Sequence, residues 1–197
     1  KEENCKRLSL RYQAPLQGNM IMESLLKRLG WRNPQQELLL LKGEAHRLAK
    51  INWHKNFPLP EQYTISRWKE EYGEDAENTD APQELKDTIK TERVETNTSF
   101  ALFHNEQLVG WLISHRTGKH SLRYSSLFVA QRHRQRGQAL HLISIACKAQ
   151  QQLGIQIARA GIAPKSQAAI RLLKRHGYLH LTEIKQSMFS WVILDKN

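Results

Sequence analysis

Two apolar runs, Ser99–Phe103 and Leu108–Ile113, lie on either side of the polar segment His104–Gln107. Short apolar runs separated by polar turn residues are typical of a β-hairpin. A third strand is predicted over Leu122–Val129, and a cationic loop over Gln131–Arg136 follows it. The pattern therefore predicts three consecutive strands, the last of which leads into a positively charged turn.

After this loop the apolar spacing changes to that of a helix. Apolar residues at i, i+3, i+4 and i+7 predict a helix from Gly137 to about Gln152 and, after a strand over Ile155–Ile162, a second helix that ends at Gly177. One or two further strands are expected over Tyr178–Leu194. The order strand, helix, strand, helix, strand implies a right-handed parallel crossover and hence an α/β sheet.

The first third of the chain matches the last third at an offset of 147 residues. Leu25–Trp31 mirrors Leu172–Tyr178, and Leu8 and Leu10 align with Ile155 and Ile157. Any amphipathic helix that ends in Lys-Arg-x-Gly-aromatic would give part of this match, but the strand aligns at the same offset, which favours a true repeat. The repeat predicts two following strands, over Glu37–Lys42 and Arg47–Trp53.

The middle of the chain connects the two regions. Phe57–Pro60 is interpreted as a linker, and a short strand is predicted over Gln62–Trp68. An acidic loop from Glu70 to Glu84 follows, for which a solvated surface is favoured over a substrate-binding role. Residues Gln83–Val94 are predicted to be helical.

The net charge of +11 is concentrated in one segment. No acidic residue occurs between Glu106 and Glu183, whereas this stretch holds twelve Lys and Arg residues, so the rest of the chain is nearly balanced. A segment of this kind is expected to meet an anion, whether a nucleotide cofactor, a nucleic acid or an acidic protein surface.

The two cysteines, Cys5 and Cys147, show neither CxxC nor zinc-like spacing, so no disulfide framework and no metal site is expected. The first residues lack the apolar stretch of a signal peptide, and no apolar run approaches the roughly 20 residues needed to span a membrane. These features favour a cytoplasmic protein with no membrane partner.

The cationic turn carries the clearest chemistry. A strand that ends at Val129, a turn of cationic and small residues, and a helix that begins near Gly137 bring several backbone N–H groups together at a helix N-terminus. Such an arrangement binds phosphate, because the helix dipole and the arginines favour an anion. An ordinary turn with solvated arginines is the alternative.

Arg134-x-x-Gly137-x-Ala139 resembles the Q/R-x-x-G-x-G/A signature of the GNAT superfamily of acyl-CoA-dependent N-acetyltransferases. The element order and the helix that ends in Gly177-Tyr178 resemble the family over about residues 60–197. The resemblance implies a GNAT fold, with a mixed, mostly antiparallel sheet whose central parallel pair is flanked by helices. It also suggests a degenerate half-module over residues 1–57 before a GNAT domain over 58–197.

The resemblance further implies that acetyl-CoA is the co-substrate and that an amine is the acceptor. Backbone groups of Leu127 and Val129 would pair with the pantetheine arm, and backbone amides from Arg134 to Ala139 would hold the pyrophosphate. Ser166 and Leu173 are departures, since many members have Asn and Tyr there. The implied cofactor-binding set is Leu127, Phe128, Val129, Arg134, Gln135, Arg136, Gly137, Gln138, Ala139, Ser166 and Leu173.

The general base is left open, because the acid-free stretch contains the strands on which many members carry a carboxylate. The candidates are Tyr124, Ser126 and Glu183, with His120 and the acidic loop as further options. The Val129 N–H would support the thioester carbonyl. Two rival functions stay open: a non-catalytic acyl-CoA-sensing or interaction module, and an RNA-associated or acid-binding protein that uses the basic face.

Overall fold

The structure is a computed structural model that describes residues 7–52, 55, 57–90 and 94–193. The described residues form two compact units, a split unit (7–41 and 161–193) and a central unit (42–160). In chain order the helices and strands are β1 (Arg7–Ala14), α1 (Met20–Arg28), β2 (Gln35–Glu44), α2 (Ala45–Leu48), β3 (Tyr63–Arg67), α3 (Tyr72–Glu77), α4 (Gln83–Asp87), β4 (Phe100–His104), β5 (Gln107–Gly118), β6 (Ser121–Val129), α5 (Gln138–Gln152), β7 (Ile157–Ile162), α6 (Gln167–His176) and β8 (Leu181–Ile193).

In the central unit the strands lie in the order β7-β6-β5-β4-β3. β6 and β7 are parallel, and the other neighbours are antiparallel. The predicted hairpin is confirmed: β4 and β5 are joined through Asn105 and Glu106, whose φ angles of 46° and 66° are both left-handed. Two left-handed turn residues match the right-handed twist of the strands that they connect. The predicted mixed α/β sheet with a parallel pair is therefore present.

Helices cover both faces of this sheet. On one face, Leu102, Leu112 and Val129 pack against Leu142 and Ala146 of α5. On the other face, the fully buried Trp111 lies in a cluster with Phe128, Trp68 and, from α3, Ala76. Apolar burial on both faces makes β5 almost continuously buried from Leu108 to His115, which explains why its sequence shows little alternation.

In the split unit, β1 pairs with β8 in antiparallel register from Arg7↔Ile193 to Ala14↔Gln186. α1 begins at Met20 and α6 at Gln167, so the two helices keep the predicted offset of 147 residues. The helix starts differ in one respect, because Asn19 accepts a capping bond from the Met22 N–H and Ser166 makes no such bond. The domain boundary at residue 57 stays a prediction.

Two predicted elements are wrong. The strand predicted from Arg47 is a short helix over Ala45–Leu48, because Ala45 and Leu48 are buried and the Ala45 N–H donates to the Gln156 carbonyl; Trp53 lies outside the described residues. The helix predicted over Gln83–Val94 ends at Asp87, and Val94 pairs instead with His115 of β5. Both differences arise from contacts with residues distant in sequence.

The acidic loop is partly helical, since it contains α3 and the start of α4. The single strand β8 occupies most of Tyr178–Leu194, and one turn of 3₁₀ helix, Tyr178–His180, precedes it. Among the described helices, none has the length and apolar character needed to span a membrane.

Candidate functional site

The site is built on the last five residues of β6. Pairing between β6 and β7 runs only from Ser121↔Ile157 to Tyr124↔Ala160. Beyond Tyr124, β6 continues to pair with β5 on its other side as far as Val129. In the described part of the chain, therefore, no strand pairs with Ser125–Val129 along this edge, which we call the open edge.

Backbone polar groups of Leu127 and Val129 point toward the open edge. The Ala130 N–H donates to the Val109 carbonyl, so Gly110 and Val129 form a non-hydrogen-bonded antiparallel pair. The backbone groups of such a residue face away from its partner strand, and the same holds two residues earlier at Leu127. Phe128, between them, is buried against Trp111 with ring centroids 4.5 Å apart.

The loop after β6 brings the chain to the N-terminus of α5. Gln135 and Gly137 have φ angles of 69° and 86°, and Gln135 is exposed. A non-glycine residue in the left-handed region costs about 1–2 kcal/mol, so the rest of the loop must hold it there. Among the described residues, no side chain caps α5, a helix of 15 residues. The amides of Gln138 and Ala139 therefore lie at a dipole end suited to an anion.

Three contacts anchor this loop. Arg134 Nε donates to the Val129 carbonyl at 2.7 Å, and Asp80 accepts from the Gln131 N–H at 3.1 Å. His133 Nδ1 lies 2.8 Å from the Tyr63 hydroxyl. Burial, and next the nearby His104, hold the pKa of His133 below its ordinary value. The loop is thus fixed to β6, to β3 and to the segment before α4.

Gly137 is in contact with Phe57. A Cβ atom at Gly137 would collide with the Phe57 side chain, and His141 Nε2 lies within hydrogen-bond distance of the Phe57 carbonyl. From the sequence, Gly137 is predicted to let another group approach its backbone closely. Within this chain the group that does so is Phe57, the first residue of the predicted linker.

Gln138, at the first position of α5, is only 1% exposed. Its side-chain Nε2 and Oε1 have no hydrogen-bond partner among the described residues. It lies one helical turn before Leu142, which is in the core. Its side-chain amide is therefore held in the apolar layer below α5, and its proposed role in phosphate binding depends on its backbone N–H.

Two of the predicted catalytic residues on β6 are engaged in internal hydrogen bonds. The Tyr124 hydroxyl donates to Gln150 Oε1 at 2.7 Å, and burial raises the pKa of Tyr124. Ser126 is buried and accepts from Trp111 Nε1 at 3.0 Å and from Thr88 Oγ1 at 2.9 Å. Their catalytic roles stay predictions, and these contacts give them structural ones.

The remaining predicted residues lie in the split unit. Glu183 forms an ion pair with Lys185 at 2.6 Å. Ser166 is exposed at the start of α6, and Leu173 is buried. An aliphatic side chain cannot donate a proton to a leaving thiolate, so Leu173 offers no general acid. Their assignment to cofactor binding stays a prediction.

A polar pair next to Tyr124 was missed by the sequence analysis. His115 Nδ1 lies 2.7 Å from Ser125 Oγ. Ser125 is an extra residue in β6, because Ile113 and Ser114 of β5 pair with Ser126 and Tyr124. Only the strand register reveals this bulge, so no local signal in the sequence could have identified the pair.

A groove with acidic sides lies beside α3. Glu70, Glu74 and Glu77 line it together with Lys90 and Val94. Glu77 pairs with Lys90 at 3.0 Å, so the described lining residues carry an excess of negative charge. Val94 is the residue that pairs with His115, so one end of the groove lies beside β5. Among the described residues, no cluster of three or more His, Cys, Asp or Glu side chains could hold a metal ion.

The α/β fold therefore presents an open strand edge that leads into a helix N-terminus suited to an anion. The family model "Acetyltransferase (GNAT) family" matches residues 62–178, which is more than half of the chain. The chain therefore belongs to the GNAT acetyltransferase family, whose enzymes use acetyl-CoA as co-substrate. No curated protein matches the chain in sequence.

Solved structures share the fold. A tandem GNAT protein from the clavulanic acid biosynthesis pathway is 13% identical, with a TM-score of 0.69 over 98% of this chain and 65% of that one. A GCN5-related N-acetyltransferase from Sphaerobacter thermophilus is 16% identical, with a TM-score of 0.63 over 98% and 62%. One from Kribbella flavida is 16% identical, with a TM-score of 0.64 over 96% and 69%. The chain spans less than two thirds of the first two structures.

Proposed function

We propose that the chain is an N-acetyltransferase that transfers an acetyl group from acetyl-CoA to a primary amine. The observation that carries the proposal is the open edge of β6, where the backbone groups of Leu127 and Val129 face outward directly before the loop at the α5 N-terminus. A linear ligand with amides at one end and phosphates at the other matches this order of sites.

The residues present fit acetyl-CoA. The Leu127 and Val129 backbone can pair with amide groups as a neighbouring strand would. The amides of the loop and of the first turn of α5 are suited to the pyrophosphate. Arg134 already donates to the Val129 carbonyl, which leaves the N–H groups of Val129 and Leu127 available to polarise a thioester carbonyl. When bound, acetyl-CoA supplies an activated acetyl group and a good leaving thiolate.

The acidic groove supports a cationic acceptor. Glu70, Glu74 and Glu77 would attract an ammonium group, although the chain as a whole carries a net charge of +11. The groove reaches Val94 beside β5, and its lining residue Ile89 follows Thr88, which contacts Ser126 of β6. An amine that enters along this groove would therefore approach the open edge from the face covered by α3 and α4.

The domain organisation of the chain and its cellular location are part of the same proposal. We assign residues 58–197 to the catalytic domain and 1–57 to a degenerate GNAT-like half-module, which the matching starts of α1 and α6 support. A cytoplasmic location is supported by Cys147, which is free and buried, with a pKa raised by burial to about 11.

Two measurements test the function. Calorimetry with acetyl-CoA is expected to show binding, and no binding at high micromolar concentration would overturn the proposal. Release of free thiol is then measured with spermidine, a lysine-rich peptide and an anionic amino acid as acceptors. Turnover is expected with the cationic amines. Binding without turnover for any amine would indicate an acyl-CoA-sensing module, and salt-sensitive RNA retention unaffected by CoA would indicate an RNA-associated protein.

A further inference from the structure

The bulge in β6 places a serine hydroxyl and an imidazole in contact beside the open edge. β5 and β6 are in register on both sides of Ser125, which has no partner of its own. In a bulge of this kind, the side chain of the extra residue points in a different direction from the one that regular alternation along the strand would give it. Ser125 is also the first residue after the last β6–β7 pair, so it lies where the open edge begins.

The shortest contact of the Ser125 hydroxyl is with His115. Its Oγ lies 2.7 Å from His115 Nδ1, whereas the Arg123 carbonyl is 3.4 Å away and Arg123 Nε, a donor, is 3.3 Å away. Arg123 Nε can only donate, so His115 Nδ1 and the Arg123 carbonyl are the two groups that can accept the serine proton. The contact with Nδ1 is the shorter of the two.

The proposed role uses one of the two neutral forms of the ring. In the tautomer that carries its hydrogen on Nε2, Nδ1 is unprotonated and its lone pair is directed at the Ser125 hydroxyl. A hydrogen bond with the Thr88 backbone favours the protonated ring and so assists proton uptake by His115.

The surroundings keep this imidazole neutral at physiological pH. His115 is 8% exposed, and burial, followed by the positive charge of Arg123, lowers its pKa. The neighbouring Arg116 is paired with Glu95 at 3.1 Å, so these two charges largely offset one another. A neutral, buried imidazole with a directed lone pair is a proton acceptor and not a fixed charge.

We infer that Ser125 and His115 together take the proton from the acceptor ammonium in the proposed acetyl transfer. The inference rests on the proposed function. Ser125, which is half-buried at the open edge, is the member that would touch the amine, and His115 acts through it. Tyr124 and Ser126 use their hydroxyls in internal bonds to Gln150 and Trp111, which leaves Ser125 as the hydroxyl on this part of β6 that is directed at a base.

The proton transfers balance. The ammonium passes one proton to Ser125 Oγ as the Ser125 proton moves to His115 Nδ1, which gives a neutral amine and an imidazolium. The nitrogen lone pair forms a bond to the thioester carbonyl carbon, and the carbon–sulfur bond breaks with its electron pair on sulfur. The proton that the nitrogen then carries in excess goes to the thiolate, and His115 releases its proton to solvent.

Four variants and one control test the inference by thiol release from acetyl-CoA with a cationic amine. Ser125→Ala and His115→Gln are each expected to lower kcat about 100-fold, with the acetyl-CoA dissociation constant unchanged. The double variant is expected to be no slower than either single one, because the two residues act as a unit. Ser125→Thr retains a hydroxyl and is expected to restore most of the rate. His46→Gln, at an exposed histidine of α2 outside the proposed site, is the matched control.

The pH profile separates this role from a structural one. In the wild type, kcat/KM is expected to rise with pH through one group that titrates below the ordinary histidine value, and this limb is expected to disappear in His115→Gln. Full activity and an unchanged profile in Ser125→Ala would overturn the inference and leave the proposed function intact. If instead the wild type binds no acetyl-CoA or turns over no amine, the proposed function itself fails.

Discussion

Arg134 Nε donates a hydrogen bond to the Val129 carbonyl oxygen over 2.7 Å, and this bond joins the loop after β6 to the end of that strand. Because Arg134 occupies the Val129 carbonyl, the N–H is the backbone group that Val129 leaves directed at the open edge. The signature arginine thus has a structural role in addition to its charge. It orders the turn in which Gln135 and Gly137 take left-handed backbone conformations.

Replacing Arg134 by methionine keeps the aliphatic stem and removes the donor. A hydrogen bond from a charged group contributes about 1.5–3 kcal/mol, so acetyl-CoA affinity is expected to fall about tenfold or more as the loop loses its anchor. Arg132→Met, in the preceding 3₁₀ turn, removes the same charge and is the control. Calorimetry at fixed salt compares them, and equal losses would show that charge alone matters.

Gly137 is expected to tolerate alanine less well than Gly154. Both have positive φ angles, 86° and 67°, so alanine costs about 1 kcal/mol at each. Only at Gly137 would the added Cβ also meet Phe57, whereas Gly154 has open space around it. Urea unfolding should show a larger loss for Gly137→Ala, and Phe57→Gly in the same chain should remove most of the excess, because it removes the Phe57 Cβ that the added atom meets. Equal losses in the wild-type background would contradict the contact.

Two buried glutamines of α5 are expected to respond in opposite ways to leucine. Gln138 has no side-chain partner among the described residues, so Gln138→Leu removes an unpaired buried amide and is expected to stabilise the fold by about 1 kcal/mol or more. Gln150 accepts from Tyr124 and donates to the Ile155 carbonyl at 3.0 Å, so Gln150→Leu is expected to destabilise it.

Thermal and urea unfolding of the two leucine variants provide the comparison. Acetyl-CoA affinity is expected to be unchanged in Gln138→Leu, because the proposed contact uses the backbone N–H. Destabilisation by Gln138→Leu would show that its amide is satisfied in solution.

Stability is expected to fall as the pH drops from 7.5 to 5.5. His115 and His133 both have lowered pKa values in the folded chain, chiefly through burial. The unfolded chain therefore binds more protons than the folded one in this range, so the free energy of unfolding rises with pH. Urea titrations at the two pH values measure the slope. His133→Gln should reduce this slope, and a slope in His133→Gln equal to that of the wild type would contradict the assignment.

Much of the local structure follows from the sequence. The helix spacing of Ala139, Leu142, Ile143 and Ala146 predicts α5 to within one residue at its start, because the apolar stripe is the face that packs on the sheet. The hairpin around Asn105 was equally predictable, since its turn needs residues that accept left-handed backbone angles. The cationic turn before α5 was also located by its residues alone.

Contacts between distant residues decided the rest. Arg47 is helical because Ala45 and Leu48 are buried and Ala45 bonds to Gln156, and Val94 is drawn into a pair with His115. These outcomes depend on which backbone groups meet across the sheet, a property that local periodicity does not contain.

The sequence by itself determined the order of strands and helices, the cationic turn and the resemblance that its glycine and arginine carry. Only the tertiary structure decided that β6 separates from β7 after Tyr124, that a bulge turns Ser125 toward His115, and that the buried Gln138 side chain has no partner among the described residues. The physical reason is that propensity and apolar spacing act over a few neighbouring residues, whereas strand register and burial are fixed by partners tens of residues away.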